Sequence, residues 1–126
     1  MAKLLIVDDD AQACEYMAEL FSKRGQTVIS ALSGKEGLKA ARKEKPDVVL
    51  LDVSMPDMDG LSLLKEIKRI NKDIRVIMVT VASDESVRQE AQKLGADDFV
   101  KKPIQKDELV GKVCVNISKR SDEKEK

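Results

Sequence analysis

Two short apolar segments of the sequence each end in carboxylate side chains. The run LLIV at residues 4–7 precedes the acidic trio 8–10, and the run VVLL at residues 48–51 precedes Asp52. Apolar runs of this length predict strands that are buried on both faces. Clustered carboxylates repel one another, which raises their pKa values unless a cation joins them. Because an oxygen-only cluster suits Mg²⁺, the sequence predicts a metal site beside a reactive carboxylate.

The remaining sequence alternates between strand-like and helix-like segments, five of each. Strands are predicted at about 3–7, 27–31, 48–52, 76–80 and 99–101, and helices at about 11–24, from 33, from 60, at about 84–94 and from 106. Five such units predict an α/β fold with a doubly wound, five-stranded parallel sheet of the flavodoxin-like order 2-1-3-4-5.

This strand order makes the first and third strands neighbours, and it therefore predicts which side chains share one edge. Adjacent strands lie ~4.8 Å apart, so Asp8 and Asp9 should lie next to Asp52. The fourth strand brings Thr80 to the same edge. The fifth strand brings Lys102 slightly further away, and its long side chain can reach back.

The last helix is the least clear element, because Val113, Val115 and Ile117 alternate as they would in a strand. Leu109, Val113 and Ile117 also have helical i, i+4, i+8 spacing. A terminal helix completes the alternating pattern, so a helix is predicted. One domain is expected over residues 1–118, followed by a charged, disordered tail at residues 119–126.

Composition limits the possible functions. The 126 residues include 23 Lys and Arg against 23 Asp and Glu, so no excess of positive charge predicts direct nucleic-acid or membrane binding. No apolar run approaches the ~20 residues of a membrane helix, and a cytoplasmic protein is expected. Cys14 and Cys114 are isolated, which predicts reduced thiols. The chain has no histidine, which excludes a His-ligated metal and a phosphohistidine carrier.

Four segments together resemble the receiver domain of bacterial two-component response regulators of the single-domain, chemotaxis or sporulation type. They are LLIVDDD, VVLLDVSMPDMDG, VIMVT and DDFVKKP, in this order along the chain. The resemblance implies that Asp52 accepts a phosphoryl group from the phosphohistidine of a sensor kinase, or from a small phosphodonor. It implies a signalling protein and not an enzyme with a separate substrate. The reactions it would catalyse are only the Mg²⁺-dependent transfer of a phosphoryl group to itself and its own dephosphorylation.

The resemblance also implies a role for each residue around Asp52. Asp9 matches the direct Mg²⁺ ligand, Asp8 matches the acid that acts mainly through metal-bound water, and the Ser54 carbonyl matches a third protein ligand. Thr80 matches the hydroxyl that bonds a phosphate oxygen. Lys102 matches the lysine that pairs with the phosphate, and the bond from this lysine to the following proline is cis in the family.

Phe99 matches the aromatic position that turns inward on activation. Thr80 and Phe99 would together form the switch. The implied partners are a sensor histidine kinase or a histidine phosphotransfer protein, and a downstream protein. The downstream protein would bind the face formed by the fourth helix, fifth strand and fifth helix. The chain would be a monomer or a weak, phosphorylation-dependent dimer.

Four positions depart from the common receiver pattern, and one of them is Phe99, which lacks the hydroxyl of the commoner tyrosine. Val81 stands where receivers usually carry a small residue, and its side chain is expected to restrict access to the phosphoryl group. Ser54 and Ala82 offer no carboxylate or amide to orient an attacking water. We therefore predict a gating role for Val81 and a long-lived phosphorylated state, unless Val81 points into the fold and only packs there.

Other classes of protein fit less well. A haloacid-dehalogenase-type phosphatase needs a second aspartate two residues after its nucleophile, where this chain has Ser54. A flavodoxin-type flavin protein needs a phosphate loop after the first strand, where three acids would repel phosphate. A pseudo-receiver that binds partners independently of phosphorylation is the main alternative, although the chain retains every acid, the threonine and the lysine.

Overall fold

The sheet has the predicted topology. The computed structural model describes residues 2–53, 55–80 and 85–124, with side chains up to residue 121. Its five strands are all parallel and occur in the order β2-β1-β3-β4-β5. They are β1 (Lys3–Val7), β2 (Thr27–Ala31), β3 (Val48–Asp52), β4 (Arg75–Thr80) and β5 (Asp98–Lys101). The predicted strands thus agree with the structure to within one residue at each end.

Five helices cover the two faces of this sheet. They are α1 (Ala11–Ser22), α2 (Gly34–Glu44), α3 (Gly60–Ile70), α4 (Glu85–Lys93) and α5 (Lys106–Lys124). Successive residues of a strand point to opposite faces, and the core is accordingly divided in two. Leu4, Ile6 and Leu50 pack with residues of α1 and α5, whereas Leu5, Val7 and Leu51 pack with residues of α2, α3 and α4. This double coverage explains why the central strands are continuously apolar.

Side chains define several helix ends. The Asp10 carboxylate accepts hydrogen bonds from the N–H groups of Gln12 and Ala13 at the start of α1. Ser33 Oγ accepts from the Glu36 N–H at 3.1 Å, as a capping box requires. The Glu36 carboxylate, however, accepts from the N–H of Leu32 rather than from that of Ser33. The predicted start of this helix at residue 33 is therefore confirmed, with Ser33 as its N-cap, while the Glu36 carboxylate bonds one residue before the Ser33 N–H that a full capping box would use.

The helix interpretation of the C-terminal segment is confirmed. In α5, Leu109 and Val113 are fully buried, Ile117 packs against the same core cluster, and Val115 is half exposed. The disordered tail expected from residue 119 is wrong as far as Lys124, because α5 continues to that residue. The Arg120 side chain is only 13% exposed, and its Nε lies 3.7 Å from Asp47 Oδ1, so a long-range ion pair joins the extension to the residue before β3. In the described part of the chain this nitrogen has no hydrogen-bond partner. Within the described part of the chain, no helix is long and apolar enough to cross a membrane.

Candidate metal centre

Three carboxylates converge at the carboxyl edge of the sheet. Asp8 and Asp9 follow β1, and Asp52 is the last residue of β3, the neighbouring strand. One carboxylate oxygen from each of the three lies within 4.8 Å of the others. Asp8 and Asp52 are buried, whereas Asp9 is exposed. The cluster therefore has two buried oxygen donors and one donor at an open side, an arrangement that an incoming cation can reach.

The environment of Asp8 is unfavourable for a bare negative charge. Burial raises the pKa of Asp8 above its usual 3.8, and the nearby Asp52 carboxylate raises it further. The Asp10 N–H, which donates to Asp8 Oδ1 at 2.9 Å, and the charge of Lys102 both lower this pKa, but burial dominates. A cation bound among these acids would relieve the unfavourable charge.

Lys102 supplies one positive charge to this cluster. Its Nζ lies 3.3 Å from Asp52 Oδ2 and 3.9 Å from Asp8 Oδ2. Its backbone N–H donates to the Thr80 carbonyl at 2.7 Å, and the bond to Pro103 is cis, as the family resemblance implied. Lys101 is exposed, so the assignment of the reaching lysine to position 102 agrees with the geometry. Among the described residues, the ion pairs of Lys102 set one ammonium against three carboxylates. This excess of negative charge favours a divalent cation with oxygen ligands.

Thr80 and Phe99 lie on the adjoining strands. Thr80 ends β4, one residue beyond Val79, which is the partner of Asp52 in the β3–β4 pairing. Phe99 in β5 is partly buried and packs against the core cluster on the α2–α3–α4 side. The guanidinium carbon of Arg88, in α4, lies 5.0 Å from the centre of the Phe99 ring, within the range of a cation–π interaction. Arg88 was not predicted from the sequence, because nothing in the local pattern indicates which ring an α4 cation would cover.

A second contact that the sequence did not predict joins the loop after β3 to the start of α2. Asp57 Oδ1 accepts from the Gly34 N–H at 2.9 Å, and Oδ2 accepts from the Lys35 N–H at 3.1 Å. These bonds lower the pKa of the exposed Asp57 carboxyl. A Cβ at position 34 would lie 2.5 Å from Met58 Cβ, so only glycine allows the loop to approach this closely. The loop that leaves Asp52 is therefore held against α2.

Cys14 lies directly beneath the cluster. Its Sγ donates to the Asp8 carbonyl at 3.3 Å, and the side chain is 3% exposed. Burial, with a smaller effect of the Asp8 charge, raises the pKa of this thiol to about 11. Cys114 is exposed, and both cysteines are free, as predicted.

Three residues of the predicted site, Ser54, Val81 and Ala82, lie outside the described residues. The third metal ligand and the gating position therefore stay predictions. The structure does bring together Asp8, Asp9, Asp52 and Lys102, with Thr80 on the next strand.

Comparisons with known proteins agree with this geometry. Residues 4–114 match the family described as the response regulator receiver domain. The chain is 40% identical over 107 residues to sporulation initiation phosphotransferase F of Bacillus subtilis strain 168, covering 85% of this chain and 86% of that protein. It is 36% identical over 109 residues to chemotaxis protein CheY of the same strain, covering 86% and 91%.

The fold has a close counterpart among solved structures. A CheY-like response regulator receiver domain protein from Methanospirillum hungatei JF-1 superposes with a TM-score of 0.94 at 27% identity, covering 98% of both chains. Other relatives are longer, and the chain spans only 43% and 46% of two transcriptional regulators that it matches.

Proposed function

Because this chain belongs to the response regulator receiver domain family, a family of two-component signalling modules, we propose that Asp52 is its phosphoacceptor. The observation that supports this proposal is the buried Asp52 carboxylate, which meets Lys102 on one side and two further acids within 4.8 Å. The donor would be the phosphohistidine of a sensor kinase or of a histidine phosphotransfer protein. The protein would then bind different partners in its unphosphorylated and phosphorylated states.

In the proposed reaction an Asp52 carboxylate oxygen attacks phosphorus, the bond from phosphorus to the donor nitrogen breaks, and an acyl phosphate forms. Asp8, Asp9, Asp52 and the Ser54 carbonyl would hold Mg²⁺, which would offset negative charge on the transferring group. The donor set fits this ion because it consists of oxygen atoms and carries excess negative charge.

The side chains of this chain have separate tasks in the proposal. Lys102 already lies 3.3 Å from the Asp52 oxygen, so its ammonium is placed to pair with a phosphoryl group there. The Thr80 hydroxyl would donate to a phosphate oxygen. Val81 would narrow the line along which a donor or water reaches phosphorus, and Val81→Ala would then shorten the half-life of the phosphorylated protein. Equal half-lives and loading rates for the two proteins would exclude gating.

We further propose that phosphorylation is transmitted through Thr80 to Phe99 and to the face formed by α4, β5 and α5. If Thr80 moves toward the phosphate, Phe99 can turn into the vacated space, which is a biased two-state change. Phe99 would then leave Arg88, whose guanidinium carbon now lies 5.0 Å from its ring centre. A downstream protein, or a second copy in a weak dimer, would bind the altered face.

Beryllofluoride, an acyl phosphate mimic, tests this route by NMR in the presence of Mg²⁺. We expect shift changes at Asp52, Thr80, the Phe99 ring and the Arg88 side chain. The Asp52→Asn variant should show none of them. Changes confined to the loop after Asp52, with Phe99 and Arg88 unaffected, would contradict the switch but not the phosphoacceptor. No response anywhere would favour the phosphorylation-independent binding module.

A further inference from the structure

The outer face of α2 carries four exposed cations in a row. Lys35, Lys39, Arg42 and Lys43 occupy the i, i+4, i+7 and i+8 positions of this helix, and we call them the basic stripe. This spacing places them on one side of a helix, above neighbouring turns. The stripe borders a groove of about 550 Å³, to which the partly buried Leu38 contributes an apolar surface. The face therefore combines positive charge with an apolar centre.

The positive charge of the basic stripe is not neutralised by the acids of the same helix. Glu36 accepts a hydrogen bond from the Leu32 N–H at 3.2 Å, and Glu44 pairs with Lys3 at 3.5 Å. Within the part of the chain that the structure describes, no carboxylate lies within ion-pair distance of the four stripe side chains. Other cations of the protein, such as Lys68 and Lys112, pair with acids. In a chain of zero net charge, the stripe is a local excess.

We propose that the basic stripe docks an acidic protein segment that presents an apolar side chain to Leu38. The surface is distinct from the face formed by α4, β5 and α5, and it uses no residue of the metal centre. Lys35 and Lys43 are eight residue positions apart along the helix, a length of about 12 Å, which matches roughly two turns of a partner helix. Leu38 would supply the apolar contact, and the four cations would supply charge complementarity and orientation.

The surroundings of the stripe favour a short acidic segment over a long polyanion. At its N-terminal end, the Asp57 carboxylate is bonded to the backbone N–H groups of Gly34 and Lys35. The acidic trio of residues 8–10 and Asp52 belong to the same carboxyl edge of the sheet. A nucleic acid or an anionic membrane extending past α2 would meet all of these carboxylates, whereas a two-turn segment along the stripe would meet only Asp57, beside Lys35.

Binding of a designed peptide tests the proposal. The probe is a helical 16-residue peptide with four glutamates at i, i+4, i+7 and i+8 and one leucine between them. Control peptides carry glutamines for the glutamates, or alanine for the leucine. By fluorescence anisotropy at low salt, we expect the glutamate peptide to bind at least about tenfold more tightly than the glutamine peptide, and the alanine peptide to bind more weakly than the leucine peptide.

Charge reversal locates the surface. The double variant Lys39→Glu/Arg42→Glu should lose about tenfold or more in affinity for the glutamate peptide. The matched control Lys93→Glu/Lys119→Glu reverses two exposed cations on α4 and α5 and should bind as the wild type does. Far-ultraviolet circular dichroism and the unfolding midpoint of each variant establish that it is folded. Asp52→Asn should bind the peptide normally, so this test does not depend on the phosphoacceptor assignment.

Three results would overturn the proposal. The first is equal binding of the glutamate and glutamine peptides, and the second is an equal loss of affinity in the two charge-reversal variants. The third is tighter binding of a 16-base-pair DNA duplex, or of phosphatidylserine vesicles, that disappears in Lys39→Glu/Arg42→Glu. That last result would assign the stripe to a nucleic acid or to a membrane surface instead.

Discussion

Asp97 and Asp52 lie at opposite edges of the same sheet, and their carboxylates are neutralised differently. Asp97, which precedes β5, accepts from Lys68 Nζ at 2.8 Å and from the Val76 N–H at 2.8 Å, and it lies 3.4 Å from Arg75. Asp52 meets Lys102 at 3.3 Å but shares that ammonium with Asp8 and has Asp9 nearby. In the described part of the chain, Asp97 thus pairs with two cations, whereas Asp8 and Asp52 share Lys102 and have a third acid, Asp9, beside them.

This difference separates stability from function. At the amino edge of the sheet, where the strands begin, the partly buried Asp97 is paired with Lys68 and Arg75. Removal of Asp97 therefore leaves these two cations without their carboxylate, and the fold loses free energy. At the carboxyl edge the excess negative charge costs free energy in the absence of a cation, and we propose that this same excess makes the cluster bind one. We expect substitutions at the two edges to change the free energy of unfolding in opposite directions.

The largest effect is expected for Asp97→Ala, which should lower the free energy of unfolding by about 3 kcal/mol. The variant leaves Lys68 and Arg75, each 14% exposed, without their shared carboxylate. Urea unfolding measures the change. Glu66→Ala is a matched control, because its 3.3 Å pair with Arg69 is more exposed, and it should change stability by less than about 0.5 kcal/mol. Equal losses in the two variants would remove the contrast between the edges.

Substitution at the other edge should have a smaller effect of opposite sign. Asp8→Asn removes a buried charge and keeps an oxygen that can accept the Asp10 N–H, so the metal-free protein should gain about 1 kcal/mol at pH 7. In saturating Mg²⁺ the order should reverse, because the wild type gains binding free energy that the variant largely lacks. Thermal unfolding of the two proteins, once with EDTA and once with Mg²⁺, measures the stability difference in each condition. A variant that is less stable in EDTA would contradict the account.

The pH dependence of this difference has a definite sign. The pKa of Asp8 is higher in the folded protein than its usual 3.8, chiefly because of burial. Protonation of Asp8 therefore stabilises the folded protein. This contribution to the free energy of unfolding is fully present below pH 3.8 and is lost as the pH rises through the pKa of Asp8 in the folded protein. The metal-free wild type should approach Asp8→Asn in stability near pH 4 and fall below it toward pH 7. A gap that stays constant with pH would mean that Asp8 does not titrate as described.

The carboxyl edge was largely predictable from the sequence, and the amino edge was not. Asp8, Asp9 and Asp52 follow apolar runs directly, and parallel strands bring their ends together whatever else the chain does. Lys102 was identified by its place before Pro103. The Lys68–Asp97 and Arg120–Asp47 pairs join residues far apart in the sequence, and neither has a local signature. For the same reason, no local pattern indicates that α5 continues into its polar end.

The side-chain contacts around α2 show the same limit. Ser33 and Glu36 marked the start of the helix locally, but the Asp57 carboxylate that caps it comes from a loop 23 residues away from Gly34. The Arg88–Phe99 contact likewise depends on how α4 packs beside β5. Local patterns predict elements and their ends, while contacts between elements need the packed structure.

Phosphorylation of Asp52 tests the central claim most directly. The protein is incubated with Mg²⁺ and a small acyl phosphate donor, and its intact mass is measured. We predict the addition of one phosphoryl group to the wild type and to the control Asp73→Asn, which alters an exposed acid far from the cluster, and none to Asp52→Asn. Two results would contradict the assignment of Asp52 as phosphoacceptor. One is phosphorylation of Asp52→Asn at the wild-type rate, and the other is no phosphorylation of the wild type with Mg²⁺ bound.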